Sequence, residues 1–370
     1  MDKKGRIKHV FPGGNTTKGF MSFYNNILFQ EEANKIIIIK GGPGVGKSSF
    51  MKKISDRFLN LGYNLEYHHC SSDNNSLDAI VIVPLKVAIL DGTAPHVVDP
   101  ISPGAVDEIL NLGDYWNEEG IKIHKEEIIR TNKEIKRVFN KAYNYLKAAY
   151  QIYEAWTNTE KLAFNKAKAK LLTDKLIKEL FEKYPVAKQS GKDRHLFGTA
   201  ITPGGLTEYL HTIIGESKQI YMIKDSPGAS AKDLMNKISE EALIRGFYLE
   251  CYHSPIDVDK IEDIIIPELS CAITVVNDYH KAKVIPTNII DLTSCLDSSV
   301  TKILKEETDK DKLLFDDLIE KAILIIQKAK KFHDRLESYY VPNMDFDKIN
   351  DLAEKICKRI LEISQADTDK

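Results

Sequence analysis

The order of apolar and polar residues near the start of the chain predicts a strand, a glycine-rich turn and a helix. Residues 36–39 are four consecutive isoleucines bounded by lysines, which is typical of a strand buried on both faces. After the turn, Phe50, Ile54 and Phe58 recur at helical spacing. Gly62 then provides a helix stop. Further strands and helices alternate in the same way, which predicts an α/β protein with parallel sheets covered by helices.

Two later stretches carry the apolar stripe of long helices. In the first, from about 118 to 157, apolar side chains fall every seven residues, at Ile121, Ile128, Ile135, Ala142, Ala149 and Trp156. Such a heptad stripe predicts a coiled-coil-like helix of roughly 60 Å, at 1.5 Å per residue. A second helix, at about 171–181, is expected to fold back on it. The arrangement recurs at 315–339 and 349–360, so we expect two helical hairpins.

The recurrence extends to most of the chain. Identical residues lie 184 positions apart in several pairs: Pro43 and Pro227, Met51 and Met235, and His69 and His253. A constant offset indicates a duplicated unit, so we predict two tandem copies, 1–190 and 191–370. Each copy is expected to hold a core and a hairpin, the cores at about 1–112 and 191–295 and the hairpins at about 113–188 and 296–365. The first core is expected to open with a strand, a polar turn and a helix, at 9–24.

Composition restricts the class of protein. The net charge of −2 creates no field that would attract nucleic acid or an anionic membrane. The five cysteines form no Cys-x-x-Cys pair, which argues against a zinc site and fits a reducing cytoplasm. No apolar stretch approaches the ~18 residues of a membrane span, and residues 1–6 lead into no signal-peptide core. We therefore expect a cytoplasmic protein that does not enter the membrane.

The glycine-rich turn carries the strongest candidate chemistry, because glycines allow backbone N–H groups to turn inward on an anion. The helix that follows adds unpaired donors and a favourable dipole. The candidate nucleotide-binding residues are Gly41, Gly42, Pro43, Gly44, Val45, Gly46, Lys47, Ser48 and Ser49. Lys47 would reach the terminal phosphates, and the Ser48 hydroxyl would ligate Mg²⁺. The alternative is a glycine-rich turn that precedes a helix by chance.

A carboxylate at the end of a later apolar run is the second candidate. The run 87–91 ends at Asp91, so a buried strand would present this acid beside the phosphates, where it could hold Mg²⁺. Lys47 and Asp91 are thus the candidate catalytic residues, and Ser48 and Asp91 are the candidate metal ligands. A simple turn carboxylate is the alternative.

The residues just after this strand offer candidates for a general base. Gly92 stands where many ATPases carry a glutamate that orients the attacking water. His96 or Asp99 could supply the base instead, or Asp99 could contact a group that itself binds the metal. Both residues also suit an ordinary turn, because each lies beside a proline.

The second copy departs from the first where phosphate binding depends on particular residues. Asp225 replaces Gly41, Ala231 replaces Lys47, and Val275 replaces Asp91. The missing lysine removes the counter-charge for phosphates, so the second copy is expected to have lost nucleotide chemistry, with altered ligand binding as the alternative. Lys232 lies one position late on the helix and is expected to point elsewhere. Arg194 and Arg245 could act on the first site as arginine fingers, or could be surface residues.

With every required position filled, residues 41–48 resemble the Walker A motif of the P-loop NTPase superfamily, and 87–91 resembles a Walker B strand. The tandem pair of units is also similar to an uncharacterised family of bacterial ATP-binding proteins that are labelled ATPases or nucleotide kinases. This resemblance implies that ATP and Mg²⁺ bind the first site and that the protein is a Mg²⁺-dependent ATPase. The second copy would then be structural or regulatory.

Other functions and partners stay open at this point. A kinase for a nucleotide or small molecule is one alternative, although no arginine cluster that would form a lid follows the turn. A nucleotide-switched scaffold is another, with protein partners on the hairpins or nucleic acid on the lysine-rich face of 161–178, where acidic residues weaken the case. ATP and GTP, and a monomer and a homodimer, are not distinguished by these residues.

Overall fold

The chain folds as an α/β protein whose elements follow the same order in each half. The computed structural model describes residues 4–94, 97–229 and 231–368. The strands of the first half are β1 (Ile7–Val10), β2 (Gly13–Thr16), β3 (Gly19–Ser22), β4 (Lys35–Lys40), β5 (Leu65–His69), β6 (Leu77–Ile82), β7 (Val87–Asp91) and β8 (Asp107–Asn111). Its helices are α1 (Lys47–Asn60), α2 (Glu118–Lys122), α3 (Lys125–Glu160) and α4 (Lys166–Phe181).

The second half repeats this series. Its strands are β9 (Asp193–Leu196), β10 (Thr199–Thr202), β11 (Gly205–Glu208), β12 (Gln219–Lys224), β13 (Leu249–His253), β14 (Ile261–Ile266), β15 (Cys271–Val276) and β16 (Asn288–Asp291). Its helices are α5 (Leu210–Ile214), α6 (Ala231–Leu243), α7 (Ser298–Tyr340) and α8 (Phe346–Thr368). Within the described ranges, none of the helices combines the length and the apolar character needed to cross a bilayer.

The duplication is visible in two six-stranded sheets. The strand order is β1-β5-β6-β7-β4-β8 in the first sheet and β9-β13-β14-β15-β12-β16 in the second, which places corresponding strands at corresponding positions. The expectation of parallel sheets is wrong for β6 and β14, which run antiparallel to both of their neighbours. The reason is the short connections on either side of these strands, since a parallel pair needs a crossover of a dozen residues or more. The other pairs in both sheets are parallel.

The first residues of each half form a third, antiparallel sheet that both halves share. Its order is β11-β10-β2-β3, and Ile201 of β10 pairs with Asn15 of β2. The expected helix within 9–24 is therefore wrong, because β2 and β3 form a hairpin there, followed by one short 3-10 turn. Gly19 has a φ of +105° at the tight turn between these strands, which suits a hairpin better than a helix.

The helices cross between the halves. Helix α3 packs along α7, whereas α4 packs against α6 and α8 packs against α1. The expectation that each second helix folds back on the long helix of its own copy is therefore wrong. Leu180 and Phe181 of α4 are buried in the core of the second half, and Ile349 and Ile356 of α8 are buried in the core of the first. Each core is thus completed by apolar residues of the other copy, and a division at residue 190 separates residues that share a core.

Candidate functional site

The first loop, residues 41–46, joins β4 to α1 at the carboxyl edge of the first sheet. Gly44 and Gly46 have φ values of +70° and +87°, a region that residues with a side chain rarely adopt. Gly46 is the N-cap of α1. Val45 is fully buried in the core of the first half. The glycines are therefore required by the backbone conformation, and Val45 anchors the loop to the core.

Lys47 and Asp91 meet beside this loop. Strand β4 runs parallel to β7 with Ile39 opposite Asp91, so the carboxylate lies at the edge of the sheet where the loop begins. Lys47 Nζ lies 3.3 Å from Asp91 Oδ2. The same Nζ donates hydrogen bonds to the carbonyl oxygens of Gly41 (3.1 Å) and Gly42 (2.9 Å). The lysine is thus folded over its own loop and is held there by oxygen atoms.

Two oxygen-bearing side chains flank the lysine and are the metal-ligand candidates. The Ser48 hydroxyl oxygen accepts a hydrogen bond from the amide of Leu77 at 3.0 Å. Asp91 Oδ1 accepts from the amide of Thr93 (2.9 Å) and from its hydroxyl (2.5 Å), which fixes the carboxylate. Hydroxyl and carboxylate oxygens are the ligands that Mg²⁺ prefers. The oxygen atoms of Ser48 and Asp91 therefore fit this metal. Ser49, the last residue of the predicted nucleotide-binding stretch, is exposed.

Two amides of this region, one in the first loop and one at the start of α1, have no acceptor within the described part of the chain. In the part of the chain that the structure describes, no group accepts a hydrogen bond from the amides of Gly44 or Lys47. The first amides of a helix have no partner within the helix, so they favour an anionic ligand. The first loop therefore presents unpaired donors next to the Lys47 ammonium group.

In the second loop, which joins β12 to α6, the protein fills the same two amide positions itself. The amide of Gly228 donates to Glu160 Oε2 at 3.0 Å, and the amide of Ala231 donates to Asp225 Oδ1 at 3.1 Å. Asp225 Oδ2 accepts from Lys260 Nζ at 2.6 Å, and both of these side chains are buried. Burial lowers the pKa of Lys260, but Asp225 and other nearby groups raise it by a larger amount. The net pKa of Lys260 therefore lies above its ordinary value. Carboxylate oxygens thus accept from the two amides whose equivalents in the first loop have no acceptor among the described residues.

The helix ends of the second half cover one side of the first loop. Three glycines of the loop each lie against one side chain: Gly42 against Tyr340, Gly44 against Val341 and Gly46 against Phe346. A Cβ atom added at any of these glycines would lie only 2.9 to 3.1 Å from that side chain. Sequence reasoning missed these three residues, because a heptad stripe identifies the apolar face of a helix but not the loop that its end contacts. A usable signal is that Glu160 and Tyr340 each end the long helix of their half.

Of the two candidate general bases, Asp99 does not join Lys47 and Asp91. His96 lies outside the described residues. Asp99 is exposed, and its carboxylate pairs with Lys40 Nζ at 3.1 Å.

In the second half, Lys232 pairs with Asp257, with 3.3 Å between the charged atoms. This agrees with the expectation for a lysine that lies one position late on the helix.

Arg194 and Arg245, the two candidate arginine fingers, form ion pairs with Glu66 and Glu241. The Arg194 guanidinium is buried against the Glu66 carboxylate, with a contact of 2.7 Å, so neither interpretation of it, as a finger or as a surface residue, is correct. Arg245 pairs with Glu241 at 2.5 Å and lies over the ring of Phe181. Among the described residues, both arginines therefore serve the fold of the second half or its contact with the first.

No protein-family model matches the chain, no curated protein matches it, and no solved structure matches it.

Proposed function

We propose that the first loop binds the phosphates of ATP together with Mg²⁺, and that the protein is a Mg²⁺-dependent ATPase. The observation that supports this most is the contrast between the two loops. The amides of Gly44 and Lys47 have no acceptor among the described residues, whereas the equivalent amides in the second loop donate to Glu160 and Asp225. The same anion cradle is thus open in one copy and filled by the protein in the other.

Each residue of the first site has a distinct role in this proposal. The loop amides bind phosphate oxygens, and Lys47 exchanges its contacts with loop carbonyls and Asp91 for the terminal phosphates. Ser48 and Asp91 would hold Mg²⁺, which neutralises charge on the phosphate oxygens when it is bound. Glu160 takes the place of a phosphate in the second copy, which gives that copy a structural or regulatory role.

A nucleotide-switched scaffold is the second candidate, and one contact favours it. Tyr340 and Val341 lie at the end of the 43-residue helix α7 and against the glycines of the first loop. A ligand that reshapes the loop would displace the end of this helix. The surface of α3 and α7 would then report the nucleotide state to a protein partner.

Release of phosphate from MgATP tests the proposal. We expect Lys47→Ala to abolish release, because it removes the counter-charge for the terminal phosphate, and Lys232→Ala to leave it unchanged as the matched control in the second copy. Equal release by the wild type and Lys47→Ala would remove the first loop from the reaction. ADP formation that requires an added acceptor would identify a phosphotransferase, and binding of MgATP without turnover would identify a scaffold.

A further inference from the structure

A cavity of about 670 Å³ lies next to the first loop, a volume typical of small-molecule sites. Two segments form its walls: 114–117, which follow β8, and 342–348, which run from the end of α7 into α8. They are joined by two backbone hydrogen bonds, from the amide of Asn117 to the carbonyl of Asn343 (2.7 Å) and from the amide of Asp345 to the carbonyl of Tyr115 (2.9 Å). The cavity is therefore built by one segment from each half, the segment after β8 and the connection between α7 and α8.

The walls of this cavity continue into the first loop. Phe346 lines the cavity and also contacts Gly46. Trp116 lines it as well, and its ring centroid lies 6.4 Å from that of Tyr340, the residue that contacts Gly42. A ligand whose phosphates bind the loop amides therefore has this cavity beside it.

The equivalent place in the second half has a different lining. The backbone hydrogen bond that joins the two walls has an equivalent in the second half at an offset of 180 residues. The amide of Asn117 donates to the carbonyl of Asn343, and the amide of Asp297 donates to the carbonyl of Ala163. At this offset the three aromatic residues of the cavity are replaced, Tyr115 by Cys295, Trp116 by Leu296 and Phe346 by Lys166, whereas Phe164 stands in place of Met344. Lys168 Nζ reaches across to the carbonyl of Ser294 at 2.5 Å. The pair of exposed rings, Trp116 and Phe346, thus accompanies the open loop and has no aromatic counterpart at the equivalent positions, Leu296 and Lys166, beside the filled one.

The chemistry of the walls indicates what would bind. Trp116 and Phe346 are each more than a third exposed (36% and 38%), so their faces are available for a flat ring. Asp114 and Asp347 add carboxylate oxygens to the same walls, and these accept hydrogen bonds from an amino group. Aromatic stacking combined with acceptors is how proteins hold a nucleobase.

We propose that this cavity binds the purine base of the nucleotide, with Trp116 as the residue on which the base stacks. The inference rests on the proposed function, since it assumes that the loop holds the phosphates of the same ligand. It adds that the connection between α7 and α8, which belongs to the second copy, completes the nucleotide site of the first copy. The base is thus recognised by residues on both sides of the duplication.

Calorimetry with MgATP and with magnesium tripolyphosphate, which has no base, tests this proposal. The wild type should bind both, and it should bind MgATP more tightly. We expect Trp116→Ala to weaken MgATP binding about tenfold, because a stacked base is lost, and to leave tripolyphosphate binding unchanged. Trp116→Phe should retain most of the affinity for MgATP. Leu296→Ala, at the equivalent position of the second half, should change neither ligand.

The outcomes separate the base site from the phosphate site. Equal affinity of the wild type for the two ligands would overturn the base site and leave the loop intact. A similar loss for both ligands in Trp116→Ala would also overturn it, because the tryptophan would then only support the loop. If neither ligand binds the wild type, the proposed function fails and the base site fails with it.

Discussion

At the scale of single residues, the difference between the halves is which atoms accept hydrogen bonds from two equivalent amides. The sequence predicted the loss of the lysine at position 231 and the new acid at Asp225. It did not predict the part played by Glu160 or Lys260, which lie 65 and 35 positions from Asp225 in the chain. Long-range pairs of this kind follow from tertiary packing, and no local pattern encodes them.

Glu160 offers a direct test of the filled second loop. Glu160→Ala leaves two donors without their acceptor, the amide of Gly228 and the indole N–H of Trp156, which donates to Glu160 Oε1 at 2.7 Å. We therefore expect the free energy of unfolding to fall by about 1–3 kcal/mol. Glu160→Gln is the matched control, since it keeps one acceptor oxygen in place of two, and it should lose less than Glu160→Ala. Denaturant unfolding measures both variants. Equal stability of Glu160→Ala and the wild type would show that the contact contributes nothing.

His280 provides a test that depends on pH. Its ring is fully buried between Asp263 (3.0 Å) and Glu262 (3.2 Å), and it also contacts the Thr199 hydroxyl. Burial lowers the pKa of His280, but the two carboxylates raise it to about 9. A raised pKa stabilises the folded state while the ring is protonated. This contribution is complete below the unfolded value near 6.5 and is lost as the pH rises from 6.5 through 9.

We therefore predict that the free energy of unfolding falls over this pH interval by an amount on the order of 3 kcal/mol. His280→Gln cannot be protonated, so its stability should be nearly constant over the same interval. Urea unfolding at a series of pH values measures the two profiles. Profiles of the same slope would show that His280 does not carry this dependence.

At the scale of elements, the sequence predicted the strand, loop and helix around Lys47 and the long helices α3 and α7. It failed on pairing and direction. The antiparallel strands β6 and β14 are apolar like their parallel neighbours, so composition does not reveal their direction. The heptad stripe of α3 fits a partner equally well whether that partner is α4 or α7. Because both halves carry the same stripes, the crossed arrangement cannot be distinguished from the uncrossed one by periodicity.

Ile356 tests the crossing of α8. It belongs to the second copy in sequence, yet it is 1% exposed within the core of the first half. Ile356→Ala should lower the free energy of unfolding by about 2–5 kcal/mol, as expected for a buried cavity. The first losses of hydrogen-exchange protection should appear in α1 and β4. Leu313→Ala, at an exposed position of α7, is the control, and weakening confined to the second sheet would contradict the crossing.

At the scale of the whole molecule, the halves are joined by a buried group of charges that mixes their residues. Lys8 lies 2.7 Å from Glu250 and 3.2 Å from Glu66, while Arg194 lies 2.7 Å from Glu66. Burial raises the pKa of Glu66, but Arg194 and Lys8 lower it by a larger amount. The net pKa of Glu66 is therefore well below its ordinary value. The two basic residues and the two acidic residues occupy corresponding positions in the copies, so the duplication supplies both sides of the contact.

The long helices α3 and α7 connect the first loop to the second. Helix α7 ends at Tyr340 against the first loop, and α3 ends at Glu160 against the second, while the two helices pack along each other. A change at one loop therefore has a continuous path of packed side chains to the other. The duplicated sequence predicted two similar units, whereas the structure shows that neither unit is complete without the other.

The stoichiometry of MgATP binding tests the central claim most directly, because it counts open cradles. Calorimetry on the wild type should give one MgATP per chain, since the second loop is filled by Glu160 and Asp225. Lys47→Ala should abolish this binding, and Lys232→Ala should leave it unchanged. Two nucleotides per chain, no binding by the wild type, or undiminished binding by Lys47→Ala would contradict the account.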